Sequence, residues 1–176
     1  TYNLDENYYL PIMQHLADAE TDATFHFEIK ADLLTENVLN FLKTVPKGRF
    51  QFEIGVQTTN AATLKAINRR DNWDKLTANV KRLLSYGNIH LHLDLIAGLP
   101  YEGMAEFEKS FNDVYCLQPD MLQLGFLKVL PGTSMEKQHF EHELRYMDEP
   151  PYEILSTKYM PYCALRFLKV LEDVFE

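Results

Sequence analysis

The sequence contains little cysteine: among its 176 residues only Cys116 and Cys163 carry a thiol. They lie far apart in the chain, and neither has the spacing of a zinc or iron–sulfur site. Two isolated cysteines in a reducing cytoplasm are typically small buried hydrophobes rather than a disulfide. We therefore predict two buried thiols and no metal site made by this chain alone.

Positive charge and long apolar segments are also scarce. The 17 lysines and arginines are outnumbered by 26 aspartates and glutamates, which gives a net charge of −9. An acidic chain is a poor match for nucleic acid or for an anionic membrane surface, and we expect neither as a partner. Because no apolar run has the length of a membrane span and no signal peptide is visible, a cytoplasmic location is predicted.

What the sequence does contain is a regular alternation of strand and helix patterns. Period-two alternation of apolar and polar residues predicts four strands, at 25–30, 50–56, 89–96 and 122–129. Helical periodicity predicts four helices after them, at 35–44, 60–67, 74–86 and 104–117. Strands that alternate with helices favour an α/β fold with a parallel sheet and right-handed crossovers.

The two ends of the chain have a different pattern. Four further segments are predicted there: the remains of an earlier strand at 1–4, a helix at 6–17, a polar helix at 136–146 and a more apolar helix at 161–175. We therefore predict a βα domain formed by residues 1–135, followed by a helical C-terminal extension of residues 136–176.

The two faces of the predicted strands differ in polarity. One face carries apolar residues such as Phe52 and Leu93, whereas the other carries Glu28, Gln57 and Asp94. A doubly wound sheet would bury both faces, and a small closed barrel would fill its interior with branched apolar side chains. Neither pattern fits, so we predict a partial, open parallel βα barrel whose polar side is concave and binds a polar ligand.

Position along the strands separates candidate binding residues from structural ones. In parallel βα folds the chemistry collects at the C-terminal ends of the strands, where Glu28, Gln57 and Asp94 are expected. The other polar side chains of that face lie lower, and we expect them to form a hydrogen-bonded interior network: Glu53, His90 and His92.

Three segments resemble motifs of the radical S-adenosylmethionine (radical SAM) family. Residues 50–57, FQFEIGVQ, resemble the GxQ segment of that family. Residues 92–100, HLDLIAGLP, resemble the DLIxGLP segment of the oxygen-independent coproporphyrinogen oxidase branch, and residues 27–29 resemble its glutamate strand. The likeness runs in order over residues 24–135 and is closer still to radical enzymes that often follow a cobalamin-binding domain. It implies about strands two to six of the six-stranded radical SAM barrel.

The resemblance implies an S-adenosylmethionine site. The family's matching glutamate accepts hydrogen bonds from the methionyl ammonium, a role that falls to Glu28 here. The residues that match Gln57 and Asp94 bind ribose hydroxyls, and the arginine that matches Arg69 lies near the methionyl carboxylate. Two positions match the adenine contact: Ile96 and Ala97. No catalytic residue is expected in this chain.

The resemblance also implies parts that this sequence does not contain. The family's reaction needs a [4Fe-4S] cluster on a CxxxCxxC loop, and no such loop occurs here. We therefore expect the S-adenosylmethionine-binding part of an iron–sulfur oxidoreductase or transferase that acts on a small molecule, with cobalamin implied through an upstream domain. The piece alone is expected to hold no cofactor and to be inactive, and its exposed strand edge favours self-association.

Two other functions stay open on the sequence. His92 and Asp94 lie on one strand face and could ligate a divalent metal in a hydrolase. The chain could also be a non-catalytic ligand-binding module of the same fold. The substrate does not follow from the motifs, because one fold serves many reactions.

Overall fold

The computed structural model describes residues 2–175, and within them the main sheet has four strands in chain order. These strands are β1 (Phe25–Ile29), β2 (Phe50–Gln57), β3 (His90–Ala97) and β4 (Met121–Phe126). β1 and β2 are parallel, with Phe25 opposite Phe50 and Glu28 opposite Glu53. The sheet is parallel, as the alternating pattern predicts.

Helices separate the strands of this sheet. Their bounds are α1 (Glu6–Ala17), a 3₁₀ turn (Ala31–Leu33), α2 (Glu36–Leu42), α3 (Ala61–Ala66), α4 (Trp73–Tyr86) and α5 (Met104–Tyr115). Short polar side chains cap the start of four of them, because oxygens of Asp5, Thr35, Asn60 and Asn72 accept hydrogen bonds from first-turn backbone N–H groups. Gly87 ends α4 in the left-handed region, at φ +66°.

The last quarter of the described chain is a short helix, a hairpin and a long helix. These are α6 (Ser134–Lys137), the antiparallel strands β5 (Arg145–Tyr146) and β6 (Ile154–Ser156), and α7 (Tyr162–Phe175). The predicted helix at 161–175 is therefore present. The predicted polar helix at 136–146 is wrong, because the chain turns after Lys137 and buries both His142 and Leu144. Side chains two residues apart on a helix point about 200° apart and cannot share one buried face.

Two other expectations are corrected. Residues 2–4 form no strand, and Thr1 lies outside the described residues. The thiols of Cys116 and Cys163 are free but exposed, not buried. The buried positions nearby are occupied by Leu117, which follows Cys116 directly, and by Leu165, two residues after Cys163.

The chain divides into two compact units. The first comprises residues 2–55, Asp71–Leu93 and Tyr115–Met121, and the second comprises Val56–Arg70, Asp94–Val114 and residues 122–175. The predicted boundary at residue 135 stays a prediction.

Aromatic packing forms the core of the first unit. The Phe27 ring meets the Phe50 ring edge-on at 5.1 Å, and Phe50 and Phe52 are stacked at 6.2 Å. Asn79 of α4 donates a hydrogen bond of 2.8 Å to the Ala31 carbonyl, which satisfies the backbone of the 3₁₀ turn.

A close approach of backbone to side chain marks the core of the second unit. Gly98 follows β3 with φ +85°, and a Cβ atom there would lie 2.7 Å from Ile154 Cγ2 and 3.5 Å from Leu165 Cδ2. The turn after β3 therefore packs directly onto β6 and α7, which a larger residue would prevent. None of the helices formed by residues 2–175 combines the length and apolar content of a membrane span.

Candidate functional site

Burial alternates along β2 and β3 and separates two faces. In β2 every second residue starting from Phe50 is buried, and the residues between them, up to Gln57, are half-buried. In β3 Leu91 is buried and Asp94 is half-buried in the same alternating pattern. The alternation confirms the predicted apolar face and predicted polar face of these strands. Gln57, Asp94 and Ile96 all lie on the less buried face, at the C-terminal ends of their strands.

Gln57 has the most unusual backbone of the predicted site residues. Its φ is +69°, in the left-handed region that a side chain with a Cβ seldom adopts. The Thr58 N–H donates a 2.9 Å hydrogen bond to the Val56 carbonyl, so Gln57 is the middle residue of a three-residue γ-turn of the strained form. The Gln57 Oε1 atom is buried and has no hydrogen-bond partner among residues 2–175. Strain and an orphaned acceptor at one strand end fit a group that a ligand donor completes.

The predicted adenine positions separate onto two faces. Ile96 shares the face of Asp94, whereas Ala97 is buried on the other face. The Ala97 carbonyl accepts a 3.0 Å hydrogen bond from Leu127 N–H, so this backbone group has an internal partner. A Cβ atom at Gly125 would lie 3.6 Å from the Leu95 carbonyl oxygen and 3.9 Å from Ile96 Cγ1, so a small side chain there would be in ordinary contact with the end of β3. Phe126 is buried, and the Lys169 ammonium lies 4.1 Å from the centre of its ring.

The remaining two predicted residues differ in place. Arg69 follows α3, is half-buried, and its backbone N–H donates to the Leu64 carbonyl at 2.8 Å. It lies in the second unit together with Gln57 and Asp94. Glu28 lies in the first unit, exposed on β1 opposite Glu53.

The lower polar residues pair within the first unit. Glu53 Oε2 lies 3.1 Å from His26 Nε2, and Gln51 Nε2 lies 3.0 Å from His92 Nε2. Glu53 and His92 each pair with a neighbouring side chain, as expected. The network is not interior, however, because the side chain of His90 is 49% exposed. Burial, then the nearby His90 and His26 rings, lower the pKa of His92. No three potential metal ligands gather anywhere in residues 2–175, so the hydrolase alternative gains no support from the geometry.

A buried carboxyl in the second unit was not predicted. Glu102 is fully buried between β3 and α5, and its Oε1 accepts hydrogen bonds from Thr58 Oγ1 at 2.5 Å and from Ser110 Oγ at 3.3 Å. Burial raises the pKa of Glu102 to about 7, against the opposing effect of the two hydroxyls. Its Oε2 atom has no hydrogen-bond partner within the described part of the chain.

The same cluster continues along the turn that follows Gln57. Ser110 Oγ accepts from Thr59 N–H at 3.1 Å, and Thr59 Oγ1 donates to Asp113 Oδ2 at 2.6 Å. Thr58 Oγ1 also accepts from Asn60 N–H at 3.0 Å, where α3 begins. A sequence signal existed, because Ser110 interrupts the apolar stripe of α5 three residues after Phe107.

Comparison with known proteins identifies the family. The model of the Radical SAM superfamily matches residues 1–114. The chain belongs to the radical SAM superfamily. Residues 140–176 match a second family, described as Protein of unknown function (DUF4080).

Curated relatives of this radical SAM chain are distant and longer. It is 27% identical over 152 residues to the oxygen-independent coproporphyrinogen-III oxidase-like protein HemZ of Bacillus subtilis, which covers 82% of this chain and 30% of HemZ. It is 28% identical over 138 residues to the heme chaperone HemW of Bacillus subtilis, covering 76% of this chain and 36% of HemW. The chain thus spans about a third of the length of these relatives.

Solved structures share the fold. Coproporphyrinogen III oxidase (HemN) from Escherichia coli superposes with a TM-score of 0.68 at 20% identity, covering 97% of this chain and 37% of HemN. The methyltransferase TsrM from Kitasatospora setae, solved with tryptophan and an S-adenosylmethionine analogue, also gives 0.68, at 12% identity, covering 88% of this chain and 32% of TsrM. The fold is therefore a partial radical SAM barrel, as the strand polarity and motifs predict.

Proposed function

We propose that this chain forms the S-adenosylmethionine-binding part of a radical SAM iron–sulfur oxidoreductase or transferase that acts on a small molecule. The observation that carries the proposal is Gln57: it ends β2 in a strained γ-turn and has a buried acceptor without an internal partner. The ligand this acceptor fits is one that presents hydroxyl donors at the strand ends, and a ribose does so.

Each predicted binding residue is assigned to one part of the cofactor by its chemistry. Gln57 and the Asp94 carboxylate bind ribose hydroxyls, and the apolar Ile96 side chain accepts the flat adenine ring. We assign the methionyl carboxylate to Arg69, whose planar guanidinium suits a bidentate pair, and the methionyl ammonium to Glu28. Ala97 contributes through the backbone turn that it begins, because its carbonyl is already hydrogen-bonded.

The redox part of the proposal lies outside these residues. When bound, a four-iron cluster supplies the electron for reductive cleavage of S-adenosylmethionine. The sequence holds two cysteines and no CxxxCxxC loop, so the cluster ligands would come from elsewhere in the complete polypeptide. A cobalamin role is proposed only for a polypeptide with an upstream cobalamin domain, and its support is the likeness to TsrM, which was also solved with cobalamin and a [4Fe-4S] cluster.

One further proposal concerns the isolated chain. β1 lies at an edge of the four-stranded sheet, and unpaired strand edges recruit other strands. We propose that copies of the isolated chain associate through this edge. Light scattering that finds only a monomer over a wide concentration range would contradict this.

The test uses the complete polypeptide that contains this chain, reconstituted anaerobically with iron and sulfide. S-adenosylmethionine binding is measured by calorimetry, and 5′-deoxyadenosine is quantified after reduction. Gln57→Ala and Asp94→Ala should weaken binding about tenfold or more, because each removes hydrogen bonds to the ribose, while the cluster absorbance stays unchanged.

Gln51→Ala is the matched control, since Gln51 lies on the same face of β2 but pairs with His92. Its binding constant should stay within about twofold of the parent. A parent protein that neither binds S-adenosylmethionine nor forms a cluster would refute the proposal, and so would equal binding by the Gln57 and Gln51 variants.

A further inference from the structure

The burial of the Glu102 carboxyl costs desolvation free energy. It is fully buried, and one of its two oxygens has no hydrogen-bond partner within residues 2–175. An apolar side chain of similar size would avoid that desolvation cost. The three predicted segments assign it no role, although it directly follows the GLP turn and Tyr101. Its contacts therefore indicate what the buried acid does.

The contacts lead to the turn around Gln57. Thr58, the next residue after Gln57, donates its hydroxyl to Glu102 Oε1 at 2.5 Å and its N–H to the Val56 carbonyl at 2.9 Å. One residue thus closes the γ-turn with its backbone and attaches it to Glu102 with its side chain. A left-handed glutamine is strained and persists only where surrounding contacts hold it.

We propose that Glu102 is a positioning residue for S-adenosylmethionine, which acts through Thr58 to hold the γ-turn and so sets the direction of the Gln57 side chain. This inference rests on the proposed function of Gln57. The proposal assigns Glu102 no contact with the cofactor, and Ser110 supports Glu102 by hydrogen-bonding both its carboxyl and the Thr59 backbone. Glu102 and the α5 residue Ser110 thus both hydrogen-bond to the turn that follows the end of β2.

Ionisation supplies a readout that a packing role would not move. Burial is the larger of two effects that favour the protonated form of Glu102. The second is the negative charge of the Glu106 carboxylate on α5. On the same helix, the charge of Asp113 is balanced by Lys109 at 2.6 Å and by Thr59, and the turn at residues 58–60 carries no titratable side chain. When Glu102 is protonated, its buried carboxyl carries no charge. When Glu102 loses the proton near neutral pH, a buried negative charge with one unsolvated oxygen remains, and this charge loosens the turn.

The experiment measures S-adenosylmethionine binding to the complete, cluster-loaded polypeptide at about pH 6 and about pH 8.5. Glu102→Gln keeps the Oε1 acceptor and cannot ionise, so it mimics the protonated acid. We expect it to bind like the parent at the lower pH and at least about threefold more tightly than the parent at the higher pH. Glu108→Gln, an exposed carboxylate on the same helix, is the control and should match the parent at both values.

A second pair of variants tests the route through Thr58. Thr58→Val removes the hydroxyl and should weaken binding several-fold, whereas Thr58→Ser keeps it and should restore binding. In the Thr58→Val background, Glu102→Gln should lose its pH-dependent advantage, because the connection is cut. This pair keeps the inference testable if a bulkier change at Glu102 prevents folding.

The outcomes separate this inference from the proposed function. A parent protein that does not bind S-adenosylmethionine overturns both. If the parent binds and Gln57→Ala weakens binding, but the ratio of Glu102→Gln to parent affinity is the same at both pH values, only the positioning role of Glu102 is refuted. Equal binding by Thr58→Val and Thr58→Ser refutes it as well.

Discussion

Ser110 Oγ donates a hydrogen bond of 3.3 Å to Glu102 Oε1, and both side chains are buried. The pKa of Glu102 is about 7 in the folded chain, compared with 4.5 for a free side chain. The folded chain therefore holds this proton between pH 4.5 and 7, whereas the unfolded chain releases it. By linkage, the contribution of Glu102 to stability is fully present below pH 4.5 and is lost as pH rises through 7.

Glu102→Gln should remove this pH dependence. We expect the free energy of unfolding of the parent, relative to that of the variant, to fall by on the order of 2 kcal/mol between the two ends of that pH window. Urea unfolding at several pH values measures the difference. Glu108→Gln is the exposed control, and a constant difference between Glu102→Gln and the parent across the window would contradict the prediction.

Gly98→Ala should destabilise the chain strongly. The new Cβ would lie 2.7 Å from Ile154 Cγ2, in a residue whose φ of +85° already disfavours any side chain. Overpacking and backbone strain together should cost about 2–4 kcal/mol of unfolding free energy. Gly132→Ala is a matched control, since Gly132 has φ +81° and nothing within 4 Å of its added Cβ, so only the strain of about 1–2 kcal/mol remains. Equal unfolding midpoints for the two variants would be the contrary result.

Local pattern was enough to predict the strands but not the buried acid. Phe52 and Leu93 lie in strictly alternating runs, and alternation depends only on neighbouring residues. The burial of Glu102 depends on where α5 packs against the turn at Thr58, a contact between residues 44 positions apart. The exposure of Cys163 was not predictable for the same reason. Which face of α7 is buried depends on residues distant in the sequence, such as Gly98, which packs near Leu165.

Strand phase and position were enough to indicate candidate binding residues, whereas the identity of the ligand followed only from the motifs. The strand phase places Gln57 and Asp94 on the less buried face, and the structure agrees on that face. The strained γ-turn at Gln57 was not predictable, because nothing in the GxQ letters requires a positive φ at the glutamine. The binding roles of all six predicted site residues stay predictions: Glu28, Gln57, Arg69, Asp94, Ile96 and Ala97.

His92 should titrate below the ordinary histidine range. Burial and the His90 and His26 rings lower its pKa, whereas Glu53 raises it. Because the folded pKa is depressed, the contribution of His92 to stability is fully present above the unfolded pKa and is lost as pH falls through the lower, folded pKa. Imidazole NMR titration should show the pKa of His92 falling further in Glu53→Gln and rising in His90→Gln. Movement in the same direction in both variants would refute the electrostatic explanation.

The isolated chain should not assemble a four-iron cluster. Its Cys116 and Cys163 thiols are both exposed, but two thiols cannot supply the three thiolate ligands that leave one iron open for S-adenosylmethionine. After anaerobic reconstitution with iron and sulfide, we expect no brown cluster absorbance and no 5′-deoxyadenosine on reduction. A thiol reagent added to the native chain should titrate both cysteines without denaturant. The complete polypeptide, reconstituted with iron and sulfide in the same way, should show the cluster absorbance and release 5′-deoxyadenosine on reduction if it carries the cysteine loop. Cluster absorbance from the isolated chain that survives replacement of both cysteines by serine would indicate adventitious iron sulfide. Absorbance that those replacements abolish would show that this chain ligates iron itself and would refute the division of labour proposed above.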